Sequence, residues 1–274
     1  MTQRSILITG CSSGIGRDAA RTLAARGWRV FAACRAEADC ARLRAEGLES
    51  PRIDYEDPAS LETGLAEVLA ATGGRLDALF NNGAYVIPGP LEDVPAEAMR
   101  AILEANLIGW HDLTRRALPA MRAQGHGRIV NCSSVLGFTP AKWRGPYVAS
   151  KFALEGLTDV LRLEMAGTGI HVVLIQPGPI DTPFRENAVK QFEKWIDWEG
   201  SPRADDYRAT LLDRLYKGAD MRSWPPSAVT DALIRALESP RPRARYAVTT
   251  PTRAAAVLRR ALGGRLLDRV LHRL

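Results

Sequence analysis

Short apolar runs alternate with amphipathic helical patterns along most of the chain. A run such as Ile6-Leu7-Ile8 lacks the polar–apolar alternation of a half-exposed strand and is typical of a strand buried in a parallel sheet. The runs predict seven strands, at residues 4–9, 29–34, 52–55, 77–80, 128–132, 170–175 and 245–248. Apolar positions three and four residues apart predict helices at residues 38–46, 95–121, 146–166 and 228–238, one that ends at Arg26 and one that begins with Asp57 as its cap and Pro58 in its first turn.

This alternation predicts an α/β fold, a doubly wound parallel sheet of about seven strands with helices on both faces. We expect a single domain over residues 1–250, because no second pattern and no internal repeat follows it. Residues 183–226 lack a strand pattern and contain seven aromatic side chains, which favours a lid over an apolar pocket; about half of these rings are expected only to anchor the lid. Residues 251–274 are basic and amphipathic, which predicts a helical tail.

A glycine-rich loop, Thr9-Gly10-Cys11-Ser12-Ser13-Gly14-Ile15-Gly16, joins the first strand to the first helix. A strand, a glycine loop and a helix in this order form the setting in which a dinucleotide pyrophosphate binds. Glycine at positions 10, 14 and 16 permits a tight turn, close approach of the backbone to phosphate and close packing of the helix on the sheet. We predict dinucleotide contacts from Gly10, Ser12, Ser13, Gly14, Ile15 and Gly16; the alternative is a plain glycine turn.

An arginine follows the second predicted strand. In folds of this type that strand ends beside the adenosine ribose, where an acidic residue binds a 2′-hydroxyl and an arginine accommodates a 2′-phosphate. Cys34 stands where the acid is expected, and Arg35 comes next. Arg35 therefore favours NADP(H) as the cofactor. NAD(H) is the alternative, if this side chain is only a solvated residue at the start of a helix.

Composition narrows the function classes. The 274 residues have a net charge of +6 and no apolar run long enough for a signal peptide or a membrane span, so we expect a soluble cytoplasmic protein. Four cysteines without a Cys-x-x-Cys pair are expected to be free thiols, and four scattered histidines predict no metal site. The basic charge is accompanied by no nucleic-acid-binding motif, so we expect no nucleic acid partner.

Tyr147 and Lys151 are four residues apart on a predicted helix and therefore share one face. The pKa of tyrosine is about 10, and a neighbouring ammonium group is expected to lower it. Such a phenol can exchange a proton with an alcohol or carbonyl oxygen. Taken alone, the two residues also fit an ordinary pair on a surface helix. Asn106 lies in the middle of another predicted helix, where asparagine is unfavourable and a special role is expected.

Together these features resemble the short-chain dehydrogenase/reductase family in its single-domain form. The motifs that match in order and spacing are Thr9-Gly-x-x-x-Gly-x-Gly16, Asn81-Asn82-Gly83, Asn106, Ser134, Tyr147-x-x-x-Lys151 and Pro177-Gly178. The resemblance covers residues 4–247, is nearest to members that act on retinol- or hydroxysteroid-like alcohols, and implies a Rossmann-like fold. One departure is Asn-Asn-Gly-Ala at 81–84, where the family usually has Asn-Asn-Ala-Gly.

The resemblance also implies roles for individual residues. Tyr147 would exchange the proton with the substrate oxygen, Ser134 would orient that oxygen, and Lys151 would bind the nicotinamide ribose and lower the pKa of the phenol. Asn106 would disturb its helix so that a water links Lys151 to solvent. The implied cofactor contacts are Asp54 and Tyr55 near the adenine, Asn82 and Gly83 near the adenosine, Tyr147, Lys151, Pro177 and Gly178, and Ile180 and Thr182 near the carboxamide.

The sequence thus predicts an NADP(H)-dependent oxidoreductase acting on the alcohol or carbonyl group of a bulky, mainly apolar small molecule. A non-catalytic dinucleotide sensor on the same fold is the alternative, and an isomerase or epimerase with a tightly held cofactor is a third possibility. The resemblance implies a homodimer or homotetramer that pairs through the helices near Asn106 and Tyr147. The tail is expected to pack on the body or on a neighbouring subunit, with an anionic membrane surface as the less favoured alternative.

Overall fold

Six parallel strands form one sheet at the centre of the computed structural model, which describes residues 3–218 and 222–262 together with positions 266 and 269. The strands are β1 (Ser5–Ile8), β2 (Arg29–Ala32), β3 (Ala78–Asn81), β4 (Gly127–Cys132), β5 (Ile170–Gln176) and β6 (Arg245–Ala247). Their order across the sheet is β2-β1-β3-β4-β5-β6, so the chain begins one strand in from the β2 edge and winds outward in both directions. All carboxyl ends consequently meet at one edge.

Helices cover the sheet on both faces, as predicted. They are α1 (Gly14–Ala25), α2 (Glu37–Ala45), α3 (Pro58–Thr72), α4 (Ala96–Leu103), α5 (Gly109–Gln124), α6 (Gly145–Glu164), α7 (Phe184–Trp195), α8 (Ala204–Asp206), α9 (Leu212–Tyr216), α10 (Ser227–Glu238) and α11 (Thr250–Ala261). Helix α1 packs beside α10, and α3 packs beside α5. The strand β1 is wholly buried between these layers, which explains its continuous apolar run.

The predicted strand at 52–55 is wrong: among the described residues this segment makes one isolated bridge, Cys34 to Arg52, and a second bridge, Phe31 to Glu49, lies just before it. Between the bridges, the hydroxyl of Ser50 donates to the carbonyl oxygen of Ala32 at 2.6 Å. Pro51 follows and has no N–H to donate. The backbone ladder therefore breaks after each bridge, and no seventh strand forms there.

Two helix predictions are refined by the structure. Asp57 caps α3 as predicted, because its side chain accepts a hydrogen bond from the backbone N–H of Ser60. The long helix predicted at 95–121 is interrupted by a π-helical turn, Glu104–Ile108, which separates α4 from α5 and contains Asn106. The interruption lies where the resemblance implied a disturbed helix.

Residues 183–226 contain α7, α8 and α9 and end just before α10. Residues 219–221 of this segment lie outside the described residues. The described part of the segment packs on a second apolar cluster, separate from the sheet core, that also contains Tyr147. Of the seven aromatic residues, Phe192 and Tyr207 are fully buried in this cluster, and the Tyr207 hydroxyl donates to Asp93 at 2.8 Å. Phe184 remains over one third exposed. Some of the rings therefore anchor the segment, and others remain available at its surface.

The first turn of α11 packs on the body of the protein. Thr249 caps this helix, and both Thr249 and Thr252 are fully buried. A Cβ atom on Gly178 would lie only 2.2 Å from the Thr249 hydroxyl oxygen, which shows how closely this turn approaches the loop after β5. Beyond residue 262, the predicted tail lies outside the described residues, apart from positions 266 and 269. No helix in the described part of the chain is both long enough and apolar enough to cross a bilayer.

Candidate active site

The glycine loop lies at the carboxyl end of β1. Gly10 and Gly14 have positive φ angles of 68° and 52°, which favour glycine. A Cβ atom on Gly10 would lie 2.5 Å from the Cα of Gly83, and one on Gly16 would lie 2.3 Å from the carbonyl oxygen of Gly10. These approaches exclude larger residues, so the glycines are required by the fold of the loop itself.

The loop also fits a dinucleotide pyrophosphate. Ser13 caps α1 without a side-chain hydrogen bond, and the first turn of α1 has no acidic residue. The first N–H groups of the helix and its dipole therefore remain available to an anion. Ser12 and Ile15 are partly buried in the same loop. The guanidinium of Arg42 donates to the carbonyl oxygen of Ser12 at 2.8 Å, which adds a cation that the sequence analysis did not identify.

The loop after β3 is fastened to the glycine loop by hydrogen bonds. The backbone N–H of Asn82 donates to the Thr9 hydroxyl at 2.9 Å, and the Asn82 side chain donates to the Thr9 carbonyl oxygen at 3.1 Å. The Trp110 indole donates to the Gly83 carbonyl oxygen at 3.0 Å. These contacts place Asn82 and Gly83 directly beside the glycine loop, despite the altered order of glycine and alanine.

Tyr55 belongs to a buried polar network beneath this loop. Its hydroxyl lies 2.6 Å from the Thr9 hydroxyl and donates to the side-chain oxygen of Asn81 at 3.0 Å. Asn81 in turn donates to Asn131 at 2.9 Å and to Thr114 at 3.0 Å. The Tyr55 phenol thus faces inward, whereas its predicted companion Asp54 is half-buried at the surface. Asparagine at the ends of two otherwise apolar strands was the available signal for this network.

Ser134 and Tyr147 lie together at the carboxyl edge of the sheet. Ser134 follows β4, and its hydroxyl oxygen accepts the Leu136 N–H at 3.1 Å. Tyr147, in the first turn of α6, is only 8% exposed and contacts Phe184 edge to face, with ring centroids 5.6 Å apart. Both groups therefore adjoin the apolar cluster.

Lys151 is almost completely buried, with 1% exposure. Its ammonium group donates to the carbonyl oxygen of Cys132 at 2.9 Å and lies 4.2 Å from the centroid of the Trp110 ring. It is also 5.6 Å from the centroid of the Tyr147 ring. A carbonyl dipole and an aromatic face stabilise the cation where water is excluded.

Burial dominates the titration of both groups. It lowers the pKa of Lys151 to about 8, although electrostatic interactions with Cys132 and Glu155 act to raise it. Burial raises the pKa of Tyr147 well above its usual value, the Cys132 thiol adds to this effect, and a hydrogen bond from Ser134 opposes it. Desolvation thus governs the pKa of Tyr147 in the protein alone, and the lowering of this pKa by Lys151 stays a prediction.

Asn106 is fully buried in the π-helical turn and faces the same region. Its side-chain oxygen accepts the backbone N–H of Tyr85 at 3.1 Å, and its amide donates to the Tyr85 carbonyl oxygen at 2.8 Å. The amide also approaches the Ser150 hydroxyl at 3.3 Å, and Ser150 donates to the Tyr147 carbonyl oxygen at 2.8 Å. Asn106 thus joins the loop after β3 to the first turns of α6.

Arg35 lies just beyond β2 with an exposed side chain. Its carbonyl oxygen accepts a hydrogen bond from Arg52 at 3.1 Å. Its guanidinium group forms no ion pair with any carboxylate of the described residues. At the position where the 2′-phosphate of NADP(H) is predicted to bind, the Arg35 guanidinium thus has no carboxylate partner among the described residues.

The loop after β5 carries the remaining predicted contacts, Pro177, Gly178, Ile180 and Thr182. Thr182 lies over the glycine loop, since a Cβ on Gly14 would come within 2.8 Å of its methyl group. Ile180 forms an isolated bridge with Trp224. The sheet edge thus brings the predicted cofactor and catalytic residues to one region, with the Tyr55 hydroxyl as the inward-facing exception.

A comparison with known proteins identifies the family. The family model described as short chain dehydrogenase matches residues 4–193, which include the glycine loop and the whole Ser134, Tyr147 and Lys151 set. The chain belongs to the short-chain dehydrogenase family. Its relatives support NAD(P)-dependent dehydrogenase activity, so the chain is an NAD(P)-dependent oxidoreductase.

Two relatives and two solved structures illustrate how much of this short-chain dehydrogenase is shared. The chain is 40% identical over 271 residues to the uncharacterized oxidoreductase YbbO of Escherichia coli, covering 98% of this chain and 94% of the relative. It is 32% identical to human 17-beta-hydroxysteroid dehydrogenase type 1, covering 91% and 78%. A Burkholderia phymatum short-chain dehydrogenase/reductase in complex with NAD superposes with a TM-score of 0.81 at 26% identity, covering 94% and 93%. An actinorhodin polyketide ketoreductase variant with NADPH gives 0.71 at 31% identity, covering 89% and 95%.

Removing the Tyr55 hydroxyl should destabilise the protein. Tyr55→Phe leaves two buried polar partners, Thr9 and Asn81, with one hydrogen bond fewer, and we expect the free energy of unfolding to fall by about 1–2 kcal/mol. Urea denaturation measures this change. Tyr246→Phe is the matched control, because that hydroxyl lies at the surface. Equal stability of the two variants would contradict a role for the buried network.

Lys151 should reduce stability in a pH-dependent manner. Its pKa falls from an ordinary value of 10.5 to about 8, so folding penalises the charged form. The penalty is fully present below pH 8 and disappears as the pH rises towards 10.5. We expect Lys151→Met to raise the free energy of unfolding near neutral pH by about 3 kcal/mol.

Urea denaturation of Lys151→Met and the wild type at neutral pH and about three pH units higher, where most of the penalty is relieved, provides the test. The advantage of the variant should shrink at the higher pH. Lys190→Met, at an exposed position, is the control and should change little at either pH. An advantage that is independent of pH would refute the assignment of the penalty to the Lys151 charge.

Proposed function

We propose that this protein is an NADP(H)-dependent oxidoreductase that transfers hydride between the nicotinamide and a primary or secondary alcohol or carbonyl group of a bulky, mainly apolar substrate. The observation that carries the proposal is the convergence of Ser134, Tyr147 and Lys151 at the sheet edge, beside the glycine loop and against the second apolar cluster. A dinucleotide-binding protein without catalysis would have no use for a buried phenol and a buried ammonium group there.

When bound, the nicotinamide supplies or accepts the hydride. The chain holds the substrate oxygen between the hydroxyl groups of Ser134 and Tyr147. Because burial raises the pKa of Tyr147, the phenol is protonated at neutral pH and can donate its proton to a carbonyl oxygen. In the opposite direction, the hydrogen bond from Ser134 and the charge of Lys151 assist the phenol in accepting a proton.

In this proposal, Asn106 and Lys151 assist the exchange of the proton with solvent. The π-helical turn at Glu104–Ile108 departs from regular helical hydrogen bonding, which fits a water-linked path from Lys151 to solvent. Lys151 would also bind the nicotinamide ribose. Asp54, Asn82 and Gly83 would border the adenosine, together with the ring of Tyr55.

The substrate side is apolar. Leu136, Trp143 and Phe184 adjoin Tyr147 or its cluster. Trp143 has a positive φ of 63°, the only such residue other than glycine among those described. Its carbonyl oxygen accepts the Gly89 N–H at 3.0 Å, which helps to hold this strained conformation. Strain of this kind concentrates at binding sites, and it supports a wall built for a bulky, apolar molecule.

We extend the proposal to the domain organisation, the pairing of two copies and the location of the protein. We infer a single catalytic domain over residues 1–250, with residues 183–226 as its lid and residues 251–274 as a tail. Leu157, Val160 and Leu163 expose 38%, 53% and 76% of their surface along α6, which supports pairing of two copies through this helix. Four free, buried cysteines support a cytoplasmic location. Contact of the tail with a membrane surface stays a prediction.

Tyr147→Phe should separate binding from catalysis. We expect kcat for NADPH-dependent reduction of a panel of apolar aldehydes and ketones to fall by about 10²–10⁴-fold, because the proton donor is lost. The dissociation constant for NADPH, measured by fluorescence titration, should stay unchanged.

Tyr216→Phe is the control for this experiment. Tyr216 lies in the same 183–226 segment as Phe184 but is nearly half exposed, and its hydroxyl donates to Glu193 as its one partner among the described residues. Its removal should leave turnover intact. Full activity of Tyr147→Phe would overturn the proposed mechanism, and absence of NADPH and NADH binding by the wild type would overturn the proposed function.

Arg35→Asp should shift the cofactor preference from NADP(H) towards NAD(H). Loss of a hydrogen bond to a charged phosphate costs about 1.5–3 kcal/mol, which corresponds to a weakening of NADPH binding by about 10–150-fold. The measurement compares kcat/KM for the two cofactors. Arg75→Asp makes the same charge change near the amino end of β3 and should not alter the preference. An unchanged preference in Arg35→Asp would refute the assignment.

A further inference from the structure

Helix α6 carries four ionisable side chains in one line. Tyr147, Lys151, Glu155 and Asp159 are spaced four residues apart and therefore follow one face of the helix, one turn after another. The first two belong to the proposed active site. Glu155 comes next, and it is only 8% exposed. A buried glutamate requires partners, because an unpaired carboxylate in the interior is strongly unfavourable.

The carboxylate of Glu155 contacts three segments, two of which carry parts of the site. One oxygen accepts the amide N–H of Gln176 at 2.9 Å, and Gln176 directly precedes the Pro177-Gly178 loop. The other oxygen accepts from Arg245, the first residue of β6, at 3.1 Å. A Cβ atom on Gly137 would lie 3.2 Å from the Glu155 carboxylate, so the turn that follows Ser134 rests on this side chain.

We propose that Glu155 is a positioning residue for hydride transfer, which keeps Lys151 charged inside the protein and fixes the nicotinamide-side loop to the helix that carries Tyr147. This inference rests on the proposed function, since it concerns the same site. Glu155 touches neither the substrate nor the cofactor in this assignment. It acts through Lys151, one turn away, and through Gln176.

The surroundings of Lys151 favour this role for Glu155. The groups that face the ammonium are the Cys132 carbonyl oxygen and thiol from β4, the Trp110 ring from α5 and the Tyr147 phenol from its own helix. At neutral pH, the thiol and the phenol are uncharged, because burial raises the pKa of both. Glu155 is therefore the anion available to stabilise the Lys151 charge.

Glu155 shares its guanidinium partner with a second carboxylate on the same helix. Arg245 is shared between Glu155 and Asp159, with 2.5 Å to the latter, and Arg162 also pairs with Asp159 at 2.5 Å. The four groups form a neutral set of two carboxylates and two guanidinium groups. Within it, Glu155 is the member one turn from Lys151, and Asp159 is two turns away. This arrangement provides a matched pair of carboxylates on one helix face, of which only the nearer should affect Lys151.

The experiment measures the titration of Lys151 directly. The chain has five lysines, and those other than Lys151 are exposed, so ε-¹³C-lysine labelling gives a simple NMR spectrum in which Lys151→Met assigns the buried one. In the wild type, we expect its midpoint near pH 8. Glu155→Gln, which keeps the shape, should lower the midpoint by about one pH unit or more. Asp159→Asn should leave it unchanged.

The controls separate charge from packing. Glu155→Asp keeps the charge and should retain a midpoint close to that of the wild type. An unchanged midpoint in Glu155→Gln, or an equal fall in Asp159→Asn or Glu155→Asp, overturns the proposal. If Glu155→Gln does not fold, the wild type still decides, because a buried lysine without a stabilising anion titrates at about pH 5–6, and such a midpoint also overturns it.

Because no cofactor is needed, this result does not depend on the proposed function. NADPH titration and turnover of the same proteins then connect the titration to activity. The alkaline change in kcat/KM should occur at a lower pH in Glu155→Gln than in the wild type. The difference between the two pH values should equal the shift in midpoint that NMR records. Identical pH profiles of the two proteins would refute the link to catalysis, even if Lys151 titrates as expected.

Discussion

The proposed site depends on keeping one ammonium group charged where water is excluded, at a cost to the stability of the fold. Lys151 is buried beneath the sheet edge, and its cation is stabilised by the Cys132 carbonyl oxygen and the Trp110 ring. These contacts compensate only part of the desolvation penalty, because its pKa still falls to about 8. Each residue that contacts this group comes from a different element. The positions of β4, α5 and α6 relative to one another are thus constrained by a charge that the fold alone would not require.

The parallel sheet makes this arrangement possible. Its register places the ends of β1, β3, β4 and β5 at one edge, so that loops distant in sequence become neighbours. The hydrogen bonds from Asn82 to Thr9 fasten two of these loops together. Beneath them, the network of Tyr55, Asn81 and Asn131 satisfies polar groups in an otherwise apolar interior. Rigidity under the loops is what allows the exposed groups above them to be held in place.

Much of this arrangement could be predicted from the sequence. Continuous apolar runs identified the strands that are buried on both faces, and the glycine spacing identified the loop between β1 and α1. The strand at 52–55 could not be excluded in this way, because its failure depends on Pro51 and on where the Ser50 hydroxyl points. The pKa of Tyr147 was also beyond reach. The spacing of Tyr147 and Lys151 indicates that they are neighbours, but their titration is governed by burial, which no local pattern reports.

The proposed proton transfer and the proposed cofactor preference differ in the burial of the residues assigned to them. The groups assigned to proton transfer are enclosed, and each has several partners, so that a change in one disturbs the packing of others. Arg35, which is assigned to the choice between NADP(H) and NAD(H), is exposed and has no carboxylate partner among the described residues. A substitution there changes charge with little effect on the core. A substitution that changes the proposed cofactor preference through Arg35 therefore need not alter the buried groups. A substitution of a buried group, by contrast, disturbs its neighbours.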